Sequence, residues 1–262
     1  MKSLSIAATG MQAQELNVEV ISNDLANVNT TAYKRRRAEF QDLLYQTQQR
    51  MGASSSSVDT IIPAGIQIGL GVNTGAIYRI TEQGELTQTS NTYDLAIGGK
   101  GYFVVDLPDG DIAYTRAGTF SLNADGLIVT QDGFTVSPGI TVPLETTNVS
   151  INEEGEVIVT LNNEATTQNV GQFDLAIFVN EAGLDSIGNN LLTETEASGV
   201  PILGTANVDD YGNLLQGFLE SSNVDPITAL TDLIAAQRGY ELNSQVIQTA
   251  DEMMQTANQA KS

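Results

Sequence analysis

The sequence predicts an α+β chain in which long N- and C-terminal helices pair as a coiled-coil-like terminal domain and enclose an antiparallel β-rich middle domain. Three observations predict it. Each end carries a seam of residues stepping by three and four, the spacing of one helix face. Between the ends the apolar period falls to two, and Gly- and Asx-containing turns recur. Charge is segregated too: of 32 acidic and 11 basic residues, 1–45 carry five of each sign, 46–219 carry 21 acidic against four basic, and 220–262 carry six against two. The middle repels itself and the ends do not. The expected divisions are 1–45, 46–75, 76–219 and 220–262.

The first seam runs Leu4, Ala7, Met11, Gln14, Val18, Ile21, Leu25 and Val28, with Gln14 its single polar member. The helix should stop near Asn27 to Thr31, where Asn and Thr replace good helix formers. Lys34, Arg35, Arg36 and Arg37 form the chain's basic cluster and are expected to meet an acidic surface on another subunit. Phe40 to Gln49 reads as a short helical run. Gly52 to Ser57 is a low-complexity linker, and Ile61 to Pro63 and Gly65 to Val72 read as extended segments punctuated by glycine.

From Ala76 to about Leu219 the candidate strands are 76–81, 94–97, 102–107, 112–115, 119–122, 127–130, 134–136, 149–151, 157–161 and 173–179. Pro108-Asp109-Gly110, Asn123-Ala124-Asp125-Gly126, Asp132-Gly133 and Glu154-Gly155 separate them with hairpin chemistry. Residues 181–213 show no clear period. Asp225-Pro226 then starts the last helix, with Asp as cap and Pro in the first turn. Its seam is Ala229, Leu233, Ala236, Tyr240, Asn243, Ile247, Ala250, Met254 and Ala257, alternating small and large residues around one polar position. As a buried Asn does in coiled coils, Gln14 and Asn243 set register, or else they face solvent or a lumen; the sequence leaves both open.

Composition removes most chemistry. There is no Cys, His or Trp. That excludes disulfides, thiolate sites, His-based zinc sites and a Ser-His-Asp triad. The net charge of minus 21 argues against nucleic acid and anionic membrane as partners, since neutralising phosphates needs Lys and Arg. Asp109-Gly110-Asp111, Asn123 with Asp125, and Asp209-Asp210 lack the terminal bidentate Glu of a calcium loop, so turn chemistry explains them. Gly98-Gly99-Lys100-Gly101 lies between strands without a following Ser or Thr, so it reads as a tight connection and not a phosphate loop. No catalytic, cofactor-binding or metal-ligating residue is nominated. Neither a cleavable signal nor a membrane span is expected, because Gln12, Gln14, Glu15, Asn17 and Glu19 interrupt the N-terminal apolar residues.

Specific residues carry a family resemblance. Ala26-Asn27-Val28-Asn29-Thr30, followed by Tyr33-Lys34, is similar to the N-terminal signature of the bacterial flagellar rod and hook axial proteins. Gln237-Arg238-Gly239-Tyr240-Glu241-Leu242-Asn243-Ser244 resembles their C-terminal signature. Gly101-Tyr102-Phe103, Tyr114 to Gly118 and Asn123 to Gly126 are similar to stretches of the family's β domain. Length favours a rod subunit with one β domain, and Tyr45 to Gly71 looks like the insertion that distinguishes distal rod members from hook members. Ala32 departs from relatives with Gly there, which predicts that its backbone is not held at positive φ.

The resemblance implies a structural, non-enzymatic subunit of a self-assembling helical tube. Terminal helices would line an export channel in the periplasmic rod, with proximal rod proteins, the hook protein and surrounding ring proteins as partners. Export would follow the flagellar type III route. The competing reading is a secreted β-rich surface or adhesin-type module, oligomerising through terminal coiled-coil helices. One intrachain seam offers few large apolar side chains against the entropy of ordering two long helices. The termini are therefore expected to fold on polymerisation.

Overall fold

The computed structural model describes residues 2–49, 65–161, 167–208 and 210–260. The architecture is α+β, with a helix at each end of a β-rich antiparallel middle. Gly52 to Ser57, Ile61 to Pro63 and Asp209 lie outside the described residues. The chain forms two compact units: Met1–Ala26, Arg36–Tyr78 and Asp225–Ser262 make the first, Asn27–Arg35 and Arg79–Val224 the second. No helix among the described residues is long and apolar enough to cross a membrane.

In the first unit α1 spans Lys2–Ala26 and α2 spans Pro226–Gln259. At 1.5 Å per residue they are about 38 and 51 Å long. α1 ends where Asn27 begins a turn, its carbonyl accepting from Thr30 N–H at 3.1 Å. Seam residue Val28 therefore lies beyond the helix, since Asn and Thr side chains compete for backbone partners. At the start of α2 the Asp225 carboxylate accepts from Ile227 N–H at 3.1 Å and from the Thr228 hydroxyl at 2.6 Å, with Pro226 in the first turn. Those bonds, the Thr228 one foremost, hold its carboxyl below the ordinary value.

Four strands complete this unit: β1 (Arg36–Asp42), β2 (Tyr45–Gln49), β3 (Ile66–Gly69) and β4 (Val72–Arg79). β1 pairs β4, and β2 pairs β3 antiparallel with Tyr45 opposite Gly69. Leu43 N–H to Gly71 at 2.9 Å and Leu70 N–H to Leu44 at 3.2 Å carry the ladder across the joint, making one long two-stranded ribbon. The helix expected over Phe40 to Gln49 is thus wrong. The β-branched run from Ile66 to Ile77 supplies a ladder from a distance, and that outweighs the weak helical preference of the local window.

The second unit is antiparallel throughout. Its main sheet runs 185–188, 191–193, 112–115, 102–106, 135–136, 128–129 and 121–122, and 174–177 pairs with both 102–106 and 202–205. A three-stranded sheet joins 146–151, 156–161 and 167–172; two pairs, 95–98 with 213–216 and 86–88 with 218–220, complete the set. Strand 102–106 is buried on both faces. Phe103 packs in a core with Leu95, Ile97, Phe120, Phe173 and Leu214, while Tyr102 and Val104 pack on the other side with Tyr114 and Phe178. Phe103 meets Phe120 edge-on, centroids 5.0 Å apart. A strand covered twice reads as a continuous apolar run, as Tyr102-Phe103-Val104-Val105 does. Residues 181–213 hold three short strands, the first fully exposed, which is why no period shows there.

The turns follow local chemistry. Asn123 Oδ1 accepts from Asp125 and Leu127 N–H, both at 2.9 Å, and Gly126 takes φ 79°. Gly99 and Gly101, at φ 123° and 138°, shape the connection from 95–98 to 102–106.

Candidate assembly surfaces

α1 and α2 pack on each other antiparallel: Gly10 lies against Asn243 and Gln14 against Gly239, so numbers rise along one helix as they fall along the other. On α2, Ala236 and Ala250 are buried; Ala229, Leu233, Asn243, Ile247 and Met254 are half-buried; Tyr240 and Ala257 are exposed. On α1, Ala7 is buried and Leu4, Met11, Gln14, Val18, Ile21 and Leu25 are half-buried.

Both polar seam residues sit in notches. A Cβ on Gly10 would come within 2.9 Å of Asn243 Nδ2, and one on Gly239 within 3.2 Å of Gln14 Cδ. Each glycine costs about 1 kcal/mol against alanine in a helix interior. Sequence reading missed both, although an isolated glycine inside a helical pattern signals close packing.

A second face of α1 is occupied within the same unit. Ala13, Val20 and Asp24 are buried, and the Asp24 carboxylate accepts from Arg36 N–H at the start of β1, 3.1 Å to each oxygen. Thr9 Oγ1 accepts from Val72 N–H at 3.3 Å. α2, by contrast, has large apolar residues left open: Ile227, Leu230 and Ile234 toward its N-terminal end, and Leu242, Val246 and Met253 further along. The ribbon likewise exposes Leu44, Tyr45, Ile66, Leu70 and Ile77. Exposed apolar surface of this kind marks an interaction site.

The second unit holds a buried ionic node. The Glu220 side chain is fully buried and accepts from Lys34 Nζ at 2.5 Å, Arg116 Nε at 2.6 Å and Gly84 N–H at 2.9 Å. Arg116 spends its other donors on the carbonyls of Ile97, Gly99 and Gly101, and Lys34 also donates to the Glu82 carbonyl at 2.8 Å. Burial alone would raise the Glu220 carboxyl, but Arg116 and Lys34 with the Gly84 N–H hold it below the ordinary carboxylate value. Burial lowers Lys34, and the charge of Arg116 adds to that against the pull of Glu220. One anion is thus shared by two cations.

Within its own chain the basic cluster finds acids. Lys34 reaches Glu220, Arg35 Nη2 lies 3.1 Å from Glu82, and Arg37 Nη2 lies 3.3 Å from Glu39 and its guanidinium over the Tyr78 ring. The neighbouring family residues build the turn that presents Lys34. Ala26 closes α1; the Asn27 side chain accepts from the Thr30 hydroxyl at 3.1 Å; Asn29 is exposed; Tyr33 N–H donates to the Thr30 carbonyl at 3.2 Å. Ala32 takes φ 58°, correcting the expectation of a negative angle. The chain must turn there so that Ala32 N–H can reach the Glu220 carbonyl at 2.8 Å. A left-handed residue with a Cβ costs roughly 1–2 kcal/mol, which the turn and node together outweigh.

Glu220 and Arg116 were not singled out from sequence. Arg116 lies in the Tyr114 to Gly118 stretch whose parts each have a task. Thr115 Oγ1 donates to the Asn190 carbonyl at 2.8 Å and accepts from Ala117 N–H at 3.1 Å, and a Cβ on Gly118 would overlap the Leu95 carbonyl.

Three segments match described families. Residues 4–34 match the flagella basal body rod protein family, 96–159 the flagellar hook protein FlgE/F/G D1 domain, and 215–260 the C-terminal region of the flagellar basal body rod FlgEFG proteins. The chain is 54% identical over 262 residues to the flagellar basal-body rod protein FlgG of Caulobacter vibrioides, covering all of both chains. It is 49% identical to the FlgG of Agrobacterium fabrum over 97% of each chain, and 43% identical to that of Borreliella burgdorferi over 100% of this chain and 99% of the relative.

Proposed function

The chain belongs to the flagellar rod and hook axial family, alongside rod proteins named FlgG, and from that premise we propose how it builds the distal rod. It is a structural subunit of that rod. Copies polymerise into a rigid helical tube that passes torque to the hook. α1 and α2 are the staves of its wall around an export channel. Its neighbours are further copies of itself, the proximal rod proteins, the hook protein and the surrounding rings.

The open apolar surface of α2 carries this reading. α1 covers one side only, so Ile227, Leu230, Ile234, Leu242, Val246 and Met253 stay in water unless other subunits cover them. Each such side chain is worth roughly 1.5–3 kcal/mol when fully buried. Packed on two or more sides, the helix gains what a lone pair lacks, which supports termini that order on assembly. The seams Leu4 to Leu25 and Ala229 to Ala257 serve that packing. The segment Tyr45 to Gly71 stiffens the tube through protomer contacts made by the exposed apolar residues of the ribbon. Electron microscopy of the purified protein at high concentration tests the reading: open tubes are expected, and closed trimers or tetramers would overturn it.

A further inference from the structure

Gly10 and Gln14 lie one turn apart on α1, and Gly239 and Asn243 one turn apart on α2. In the antiparallel pair each amide falls on the glycine of the other helix, Asn243 over Gly10 and Gln14 over Gly239. The two contacts are related by an approximate two-fold. We infer that these four residues form a reciprocal register lock, which decides which turn of α1 lies against which turn of α2.

Size matching gives the lock its force. With a Cβ at position 10 lying 2.9 Å from Asn243 Nδ2, any residue but glycine there makes the amide shift, and the Gly10 notch is left empty by anything much smaller. Sliding α2 by one heptad in either direction sets Gly10 level with Ala236 or Ala250, both buried in the observed packing. Two of the smallest residues would then face each other over a void, while Gln14 would leave its glycine for Asp232 or Val246 and Asn243 its glycine for Ser3 or Asn17. A single notch would tolerate sliding of the rest of the seam about it. Two contacts one turn apart, with amide and notch exchanged between the helices, do not. The alternation of small and large residues that suits many registers is thereby narrowed to one, as a lone buried polar residue narrows pairing in coiled coils.

The inference rests on α1 packing against α2 and not on the tube, so the two fail separately. The chain has no cysteine, so an engineered pair is the only thiol reporter present. Glu19 and Gln237 line one groove between the helices and give the in-register pair as Glu19→Cys with Gln237→Cys. Glu19→Cys with Ser244→Cys, or with Leu230→Cys, reports slides of one heptad, which displace the partner by about 10 Å along the axis. A short bismaleimide is added to the full-length protein under assembling conditions, and intrachain product is resolved from dimers by electrophoresis.

The native background should yield in-register product over shifted product by roughly tenfold or more, and Gln14→Leu with Asn243→Leu should bring the two within about threefold. An equally strong in-register preference in the double leucine chain would overturn the lock. Should that chain not fold, Gly10→Ala is compared in the Asn243 and Asn243→Ala backgrounds. Loss of in-register product only where Asn243 is present supports the lock, and equal loss in both overturns it. Failure to form tubes with the in-register product intact counts against the assembly reading and leaves the lock standing.

Discussion

Replacing Glu220 by glutamine isolates the electrostatics of the node, because the side chain keeps its shape and loses its charge. In the native chain the carboxylate takes a hydrogen bond from each of Lys34, Arg116 and Gly84, and its side chain is fully buried with Lys34 6% and Arg116 8% exposed. Glutamine retains one acceptor oxygen and presents an N–H₂ group to a cation. The Lys34 ammonium and the Arg116 guanidinium are then left buried without an anion. Breaking a buried ion pair from one side costs about 3–5 kcal/mol, so a loss of that size is expected. For a unit of this size it lowers the melting temperature by on the order of 10 °C.

Near-ultraviolet circular dichroism of the buried tyrosines Tyr102 and Tyr114 reports the transition in a chain without tryptophan. Lys34→Met should cost much less, about 1–2 kcal/mol, since Glu220 keeps Arg116 and Gly84. Equal losses from the two variants, or a Glu220→Gln loss below about 1 kcal/mol, would refute a node organised around one shared anion. The pH dependence carries the same sign. Glu220 is held below its ordinary value of 4.5, so its contribution is complete above about that pH and is lost as pH falls through the lower folded-state value. An acid titration of stability should therefore be shallower in Glu220→Gln than in the native chain.

Four further outcomes are expected. Ala32→Gly should stabilise the chain by up to about 1 kcal/mol in urea melts, because φ 58° suits glycine and the added freedom of the unfolded chain offsets only part of the gain; a destabilisation would show that the positive angle is not populated. Gly118→Ala should cost more than about 3 kcal/mol or prevent folding, as its Cβ would overlap the Leu95 carbonyl; a near-native melt would contradict that close approach. Leu44→Ser, Tyr45→Ser and Leu70→Ser together should leave monomer stability within about 1 kcal/mol while making tubes more pliable by micrograph curvature, and deleting Gln46 to Pro63, much of it outside the described residues, should do the same; tubes of unchanged persistence would refute a stiffening role. Far-ultraviolet circular dichroism of dilute monomer should show less helix than the 25 and 34 residues of α1 and α2 require, rising on assembly; full helicity at dilution would refute folding on polymerisation.

Both terminal helices, the cap at Asp225 and the antiparallel β middle with its turns were legible in the sequence, because each is dictated within a few residues of itself. A helix face repeats every three to four positions, and an Asx-Gly turn needs only its own atoms. The ribbon was not legible. Phe40 to Gln49 became strand because its partner lies at Ile66 to Ile77, and no window centred on residue 45 contains that information. Gly10 and Gly239 could be seen as glycines in helices, but not as the notches under Asn243 and Gln14, since that pairing depends on the direction and register of two elements more than two hundred residues apart.

The node is the extreme case. Lys34 and Glu220 are 186 residues apart, the lysine visible only as one of a basic run and the glutamate not at all, and only the folded β unit puts both out of water beside Arg116. Ala32 follows from it, held at a positive angle that its own side chain disfavours because the Glu220 carbonyl waits for its N–H. Sequence alone determined what each segment tends to be and which family it serves. Tertiary structure decided which charges are paired, which backbone is strained and which faces stay open, because desolvation and close contact exist only once distant residues have met.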